Sequence, residues 1–301
     1  MAVETGTATS YTDLLAKLKT FLTGLASNPW VALKDADGEL ILQGEGLAGL
    51  DEIFVGIKTY YDAPGDYYNW RLQGYTGYSA GLTFDTQPGA ITTEVSQNYC
   101  PRLCLWNSSI PYWFIANGRR FIVIAKVSTV YQVLYMGFIR AYATPGQYPY
   151  PLAIGGSSNA QSGNRWSIQN AVNVGACPMP VGNYAGTATL RLRDQSGAWQ
   201  GIRNNTGVLY TWPYAGSGLS AAHANPETIR EGIDGTYPLL PVILHSSSPT
   251  QIYGELEGIF HVSGFNNAAE NLVVDSGSDE HLVVQDVYRT GINNYFAVLL
   301  E

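Results

Sequence analysis

The chain has 301 residues, enough for one large domain or two ordinary ones, and 46% of them are apolar while only 13% are charged. That is about half the charged share of an ordinary soluble domain. Together with 21 Tyr and 7 Trp it excludes a mostly disordered chain, which needs many charges and few aromatics. The 33 Gly follow no strict period, which excludes a collagenous chain, and a net charge of −8 argues against a nucleic-acid partner held by clustered Lys and Arg.

Met1 to Ser10, MAVETGTATS, has neither a basic nor an apolar region, so no secretory signal is read there. Ser10 then opens a helix: Asp13 follows at capping-box spacing, Leu14, Leu15, Leu18, Phe21, Leu22 and Leu25 recur with helical period, and Gly24 marks the end. Residues 1–26 are thus expected to form a helical segment.

Beyond them the pattern changes to strands. Trp30 to Leu33 and Glu39 to Gln43 flank Asp37-Gly38, a hairpin signal whose two residues tolerate positive φ. Ile53–Tyr61, Tyr67–Gly74, Phe121–Ser128, Val130–Arg140, Ala188–Arg193, Leu239–His245, Ile252–Val262 and Tyr295–Leu300 carry strand composition. Turn pairs such as Pro64-Gly65, Asn117-Gly118 and Gly182-Asn183 separate them. Many short strands with frequent turns predict a mostly antiparallel β-sandwich or jelly-roll-like body over residues 27–301, with room for two β lobes divided near residues 155–163. The longest apolar runs, such as Phe121–Ala125, are far below the roughly 18 to 20 residues of a membrane helix, so no membrane partner is expected.

Chemistry is sparse in the pattern. Gly77-Tyr78-Ser79-Ala80-Gly81 matches the G-x-S-x-G elbow of a hydrolase, but Leu82 to Gly89 reads as a short strand and turn where an elbow needs a helix, so Ser79 is read as a loop residue. His223, His245, His261 and His281 are far apart and match no metal spacing; no metal, cofactor or catalytic set is assigned, and the chain is not read as an enzyme. Cys100, Cys104 and Cys177 are read as buried free thiols, with a Cys100–Cys104 or intersubunit disulfide as the alternative. Glu255 and Glu257 fall on one face of a strand, where they can face solvent, an arginine of a neighbouring chain, a cation or a substrate.

The remaining signal is aromatic. Tyr60, Tyr61, Tyr67, Tyr68 and Trp70 form one cluster, Trp106, Tyr112, Trp113 and Phe114 a second, and Tyr142, Tyr148 and Tyr150 a third. Stiff amphipathic rings with few charges suit protein interfaces, and they can also stack on sugars. Arg119 and Arg120, after Asn117-Gly118, read as surface arginines or as partners for carboxylates of a neighbour. Tyr148-Pro149-Tyr150-Pro151 is a stiff extended segment suited to lie across a partner or across its own protomer. The interface candidates are therefore Tyr112, Trp113, Arg119, Arg120, Tyr148, Tyr150, Glu255 and Glu257.

Two stretches, Leu105–Ser157 (LWNSSIPYWFIANGRRFIVIAKVSTVYQVLYMGFIRAYATPGQYPYPLAIGGS) and Tyr253–Asn271 (YGELEGIFHVSGFNNAAEN), with Thr5–Gly24 as a third, resemble a family of virion structural proteins of tailed bacteriophages. The resemblance implies a β-rich protein present in several copies in the neck and collar, tail or baseplate of the particle, made in the host cytoplasm and partnered by itself and by other virion proteins. It carries no active residues. A baseplate or tail-tip protein that binds a receptor or host glycan is the competing expectation.

Overall fold

The computed structural model describes residues 1–91, 100–157, 165–166, 189–201, 209–213, 231–247, 250–275, 277–292 and 294–300. In chain order they form β1 (Ala2–Ala8), α1 (Tyr11–Thr23), β2 (Val31–Ala36), β3 (Glu39–Gly44), β4 (Ile53–Asp62), β5 (Tyr67–Tyr75), β6 (Arg102–Leu105), β7 (Ile110–Ala116), β8 (Arg120–Val127), β9 (Val130–Phe138) and β10 (Arg140–Ala141). There follow β11 (Leu152–Gly155), β12 (Leu190–Arg193), β13 (Trp199–Gly201), β14 (Leu209–Trp212), β15 (Leu240–Ser247), β16 (Thr250–His261), β17 (Leu272–Val274), β18 (Glu280–Gln285) and β19 (Tyr295–Leu299). The fold is mostly β, antiparallel and sandwich-like, as expected.

The helix begins as its sequence requires. Ser10 Oγ accepts the Asp13 N–H at 3.1 Å, while the Asp13 carboxylate accepts the N–H of Thr9 at 2.8 Å, so the reciprocal bond falls one residue earlier than in a standard capping box. Gly24 closes the last turn by donating to Thr20 O and Phe21 O. At the Asp37-Gly38 hairpin both residues take positive φ, 56° and 73°, the requirement of a type I′ turn.

Residues 2–8, which the sequence places ahead of the helix within the expected N-terminal helical segment, are a strand. They form β1, which pairs antiparallel with β7 from Ala2↔Ala116 to Ala8↔Ile110. A strand whose partner lies that far along the chain, and which buries only Ala8 fully, leaves no local periodicity to read.

The sheets stack in three layers. One sheet runs β1-β7-β8-β9-β11-β12-β13, a second β2-β3-β4-β5-β6, and a third β14-β15-β16-β19-β18-β17 with β10 paired to β16. Val123, Leu134 and Met136 of the first sheet share a core with Leu14, Leu18 and Leu22 of α1 and with Leu42, Val55 and Leu72 of the second sheet. Ile122, Ile124 and Tyr135, on the opposite face of the same strands, share another core with Leu244, Ile259, Phe296 and Val298 of the third sheet. The first sheet is therefore the middle layer, and its central strands β8 and β9 are covered on both faces. That accounts for the nearly continuous apolar runs FIVIA and VLYMGF, since a strand covered on both sides has no solvent face to alternate with. Each aliphatic side chain so buried stabilises the fold by about 2 kcal/mol.

Most of the loop expected near residues 155–163, with Cys177, the Gly182-Asn183 turn, Ala188 and His223, lies outside the described residues.

Candidate interaction site

The β7–β8 turn brings Arg119 and Arg120 together. Asn117 Oδ1 accepts both of their backbone N–H groups, at 2.9 and 3.0 Å, and Asn117 Nδ2 donates to Glu257 Oε1 at 2.9 Å. Glu257, on β16, stands 3.6 Å from Arg119 Nη1 and 3.8 Å from Arg120 Nε. The Arg120 guanidinium is fully buried; its Nη2 reaches Met1 Sδ at 2.8 Å, and among the described residues its Nε and Nη1 have no hydrogen-bond partner. Burial lowers its pKa, offset by the neighbouring Tyr135 and Glu257. Gly258, at φ +80°, leaves room for this guanidinium: a β-carbon there would lie 2.4 Å from Arg120 Nη2. Of the two arginines read as surface residues or as partners for a neighbour's carboxylate, Arg120 is buried, and the carboxylate beside both is Glu257 of the same chain, which with Arg120 fastens the middle sheet to the third sheet.

Glu255 likewise meets groups of its own chain, Arg140 Nη1 at 3.1 Å and the Tyr142 hydroxyl at 3.0 Å. The Tyr-Pro-Tyr-Pro segment lies across its own protomer as well. Tyr148 is buried, donates to the Arg193 carbonyl and lies beside Tyr253. Tyr150 donates to Tyr75 O at 2.7 Å and accepts the Phe54 N–H at 3.2 Å, tying this segment to the second sheet. Tyr112 is buried, stacked on Phe114 at 4.1 Å between ring centroids, with its hydroxyl donating to Glu4 at 2.9 Å.

Among the expected aromatic interface residues, Trp113 keeps part of its surface open. It sits on β7 directly opposite Thr5 of β1, on the face turned toward the third sheet, at the margin of that core. Beside it β1 shows solvent an exposed Val3, Thr5 and Thr7, and among the described residues β1 pairs with β7 alone. Sequence reasoning found Trp113 by residue type and missed β1.

The first aromatic cluster divides between core and surface. Trp70 is fully buried and donates to Tyr11 O at 3.0 Å, so it presents no ring to a ligand. Tyr61 is 64% exposed and lies parallel to Tyr68, with centroids 6.1 Å apart and planes 4° from parallel.

Ser79 lies in a loop with no helix after it, pinned by Gln87, which accepts the Ser79 N–H at 2.8 Å and donates to the Ser79 carbonyl at 3.0 Å. His245, His261 and His281 are buried, and burial lowers all three pKa values, that of His261 to about 4. Among the described residues no group of His, Cys, Asp and Glu is arranged to hold a metal ion. Cys100 and Cys104 are buried, and burial pushes the Cys100 thiol up to about 11. A cavity of about 340 Å³ opens beside the Asn117-Gly118 turn, lined by Met1, Leu25, Asn28 and Leu47 among others.

The fold and this surface define a layered, antiparallel β protein with a sheet edge, open among the described residues, beside a partly exposed tryptophan. No protein-family model matches the chain, and no curated protein matches it.

Proposed function

We propose that this protein is a structural component of a tailed-phage virion, a neck, collar or tail-associated protein that assembles with copies of itself and with other virion proteins. The observation that carries the assembly reading is the pairing of Trp113 with β1, whose other edge meets no strand among the described residues, because an open strand edge and a partly exposed tryptophan are both groups that association buries with gain. The virion setting draws on the resemblance of the segments 105–157 and 253–271. Protein identification in purified particles, with the solution mass of the isolated chain, tests both parts. The chain is expected in particles and as an oligomer; a monomer that never enters particles would overturn the proposal.

A second reading, a glycan-binding tail-tip protein, is favoured by one feature: the exposed Tyr61 ring stacked on Tyr68 offers a flat platform of the kind that sugars pack against. Glycan-array binding abolished by Tyr61→Ala, with the fold intact, would establish it.

A further inference from the structure

We propose that β1 pairs antiparallel with β1 of a second copy, centred on Thr5, so that two middle sheets join into one continuous sheet across a twofold axis. The inference rests on the assembly reading above and names its partner and register.

The contrast among sheet edges carries it. Open edges invite pairing with other chains, and proteins blunt them with short strands, lysines, prolines, bulges or cover. Most of the edges described use such a device. β2 has a register irregularity between Ala32 and Lys34 and carries Lys34 and Asp35. β6 has four residues, all buried. β13 and β17 have three residues each, and β17 runs into Asp275. β1 has seven residues, AVETGTA, in unbroken register with β7 and with no Lys, Arg or Pro.

The sequence of β1 is also self-complementary in one register. Centred on Thr5, the pairing sets Ala2 opposite Ala8, Val3 opposite Thr7 and Glu4 opposite Gly6, using all seven residues and keeping the two carboxylates from facing each other. Centring on Glu4 would oppose two like charges directly. A slip of one residue would turn the core faces of the two copies to opposite sides of the joined sheet. In the Thr5-centred register both Trp113 side chains stand on the same face, one strand in from the axis on either side. Glu4 already accepts a hydrogen bond from Tyr112 within its own protomer, so its charge needs no partner across the axis.

Val3 and Thr7 are exposed, and the register sets them against each other, so charges placed there report it without touching the core. Val3→Glu combined with Thr7→Glu puts carboxylates directly opposite and is expected to weaken self-association by about tenfold or more. Val3→Lys combined with Thr7→Glu puts opposite charges together and is expected to keep the wild-type mass. Sedimentation equilibrium reads both, with circular dichroism as the check on folding. Equal behaviour of the two variants, or a wild-type chain that stays monomeric, would overturn the pairing. A monomer in solution that is nonetheless found in particles would overturn this inference and leave the virion role standing.

Discussion

At the scale of single residues, the Arg120–Glu257 contact shows why residue type alone misplaces an ion pair. A fully buried guanidinium is tolerated because a carboxylate and the Asn117 amide are fixed near it; removing one partner strands the other in a dry site. Glu257→Ala is therefore expected to cost about 3 kcal/mol in urea unfolding. Arg140→Ala, at a pair whose arginine is 68% exposed, should cost less than about 1 kcal/mol. Equal costs would show that the burial of Arg120 adds nothing to its pairing.

Two further buried groups set opposing pH trends. His261 titrates near 4 in the fold against 6.5 for a free histidine, so as pH falls from 6.5 to 4 the unfolded chain takes up a proton that the folded one refuses, and stability falls. His245 and His281 are shifted in the same direction. Burial pushes the Asp286 carboxyl up to about 7 from 3.8, with Arg289 at 2.9 Å opposing the shift. Here the folded chain holds a proton that the unfolded one has lost, so stability rises as pH falls from 7 toward 3.8. Asp286→Asn removes the second trend and leaves the first. The unfolding free energy of that variant, read from urea titrations, is expected to drop more steeply than that of the wild type between pH 6.5 and 4, by about 1.4 kcal/mol for each pH unit over which only one state binds the proton. Parallel profiles would mean that Asp286 is ionised in the folded protein.

At the scale of elements, β16 serves three partners, β15, β10 and β19. Gly254 makes one of these pairings feasible: at φ +153° a β-carbon there would sit 2.2 Å from the backbone oxygen of Arg140 on β10, and backbone cannot move aside as a side chain can. Gly254→Ala is expected to destabilise by about 2 kcal/mol or more, whereas Gly81→Ala, with nothing within 4 Å of the new carbon, should stay within about 0.5 kcal/mol. Chemical denaturation of the two variants checks the contrast. The same scale separates what the sequence discloses from what it conceals. The helix, the Asp37-Gly38 hairpin and the β8–β9 hairpin are legible because a cap, a turn pair and an apolar run act over a few residues. β1 is not, since its reason for being a strand lies in β7. The candidate site was legible by half: Arg119, Arg120, Glu255 and Glu257 do pair with opposite charges, and Trp113 does keep an open face. Whether a pair closes within the chain is decided by how the third sheet folds back on the middle one, and no local spacing encodes that.

At the scale of the whole molecule, the middle sheet contributes to both large cores, so neither outer layer can loosen without exposing a face of the same strands. On β8, Val123 points into the core shared with α1 and the second sheet, and its neighbour Ile124 points into the core shared with the third sheet. If the body unfolds as one unit, Val123→Ala and Ile124→Ala should each leave a single transition and lower its unfolding free energy by on the order of 2 to 4 kcal/mol. Tryptophan fluorescence and far-ultraviolet circular dichroism should then trace coincident curves in both variants. The tryptophans make the comparison informative, because Trp30 and Trp70 lie in the first core while Trp113 borders the second. Two lobes that unfold separately would instead give two transitions, with Ile124→Ala moving one of them and Val123→Ala the other. The shared strands argue for the single transition: a lobe boundary would have to pass through the thickness of one sheet, where the hydrogen bonds that hold each strand serve both of its faces at once.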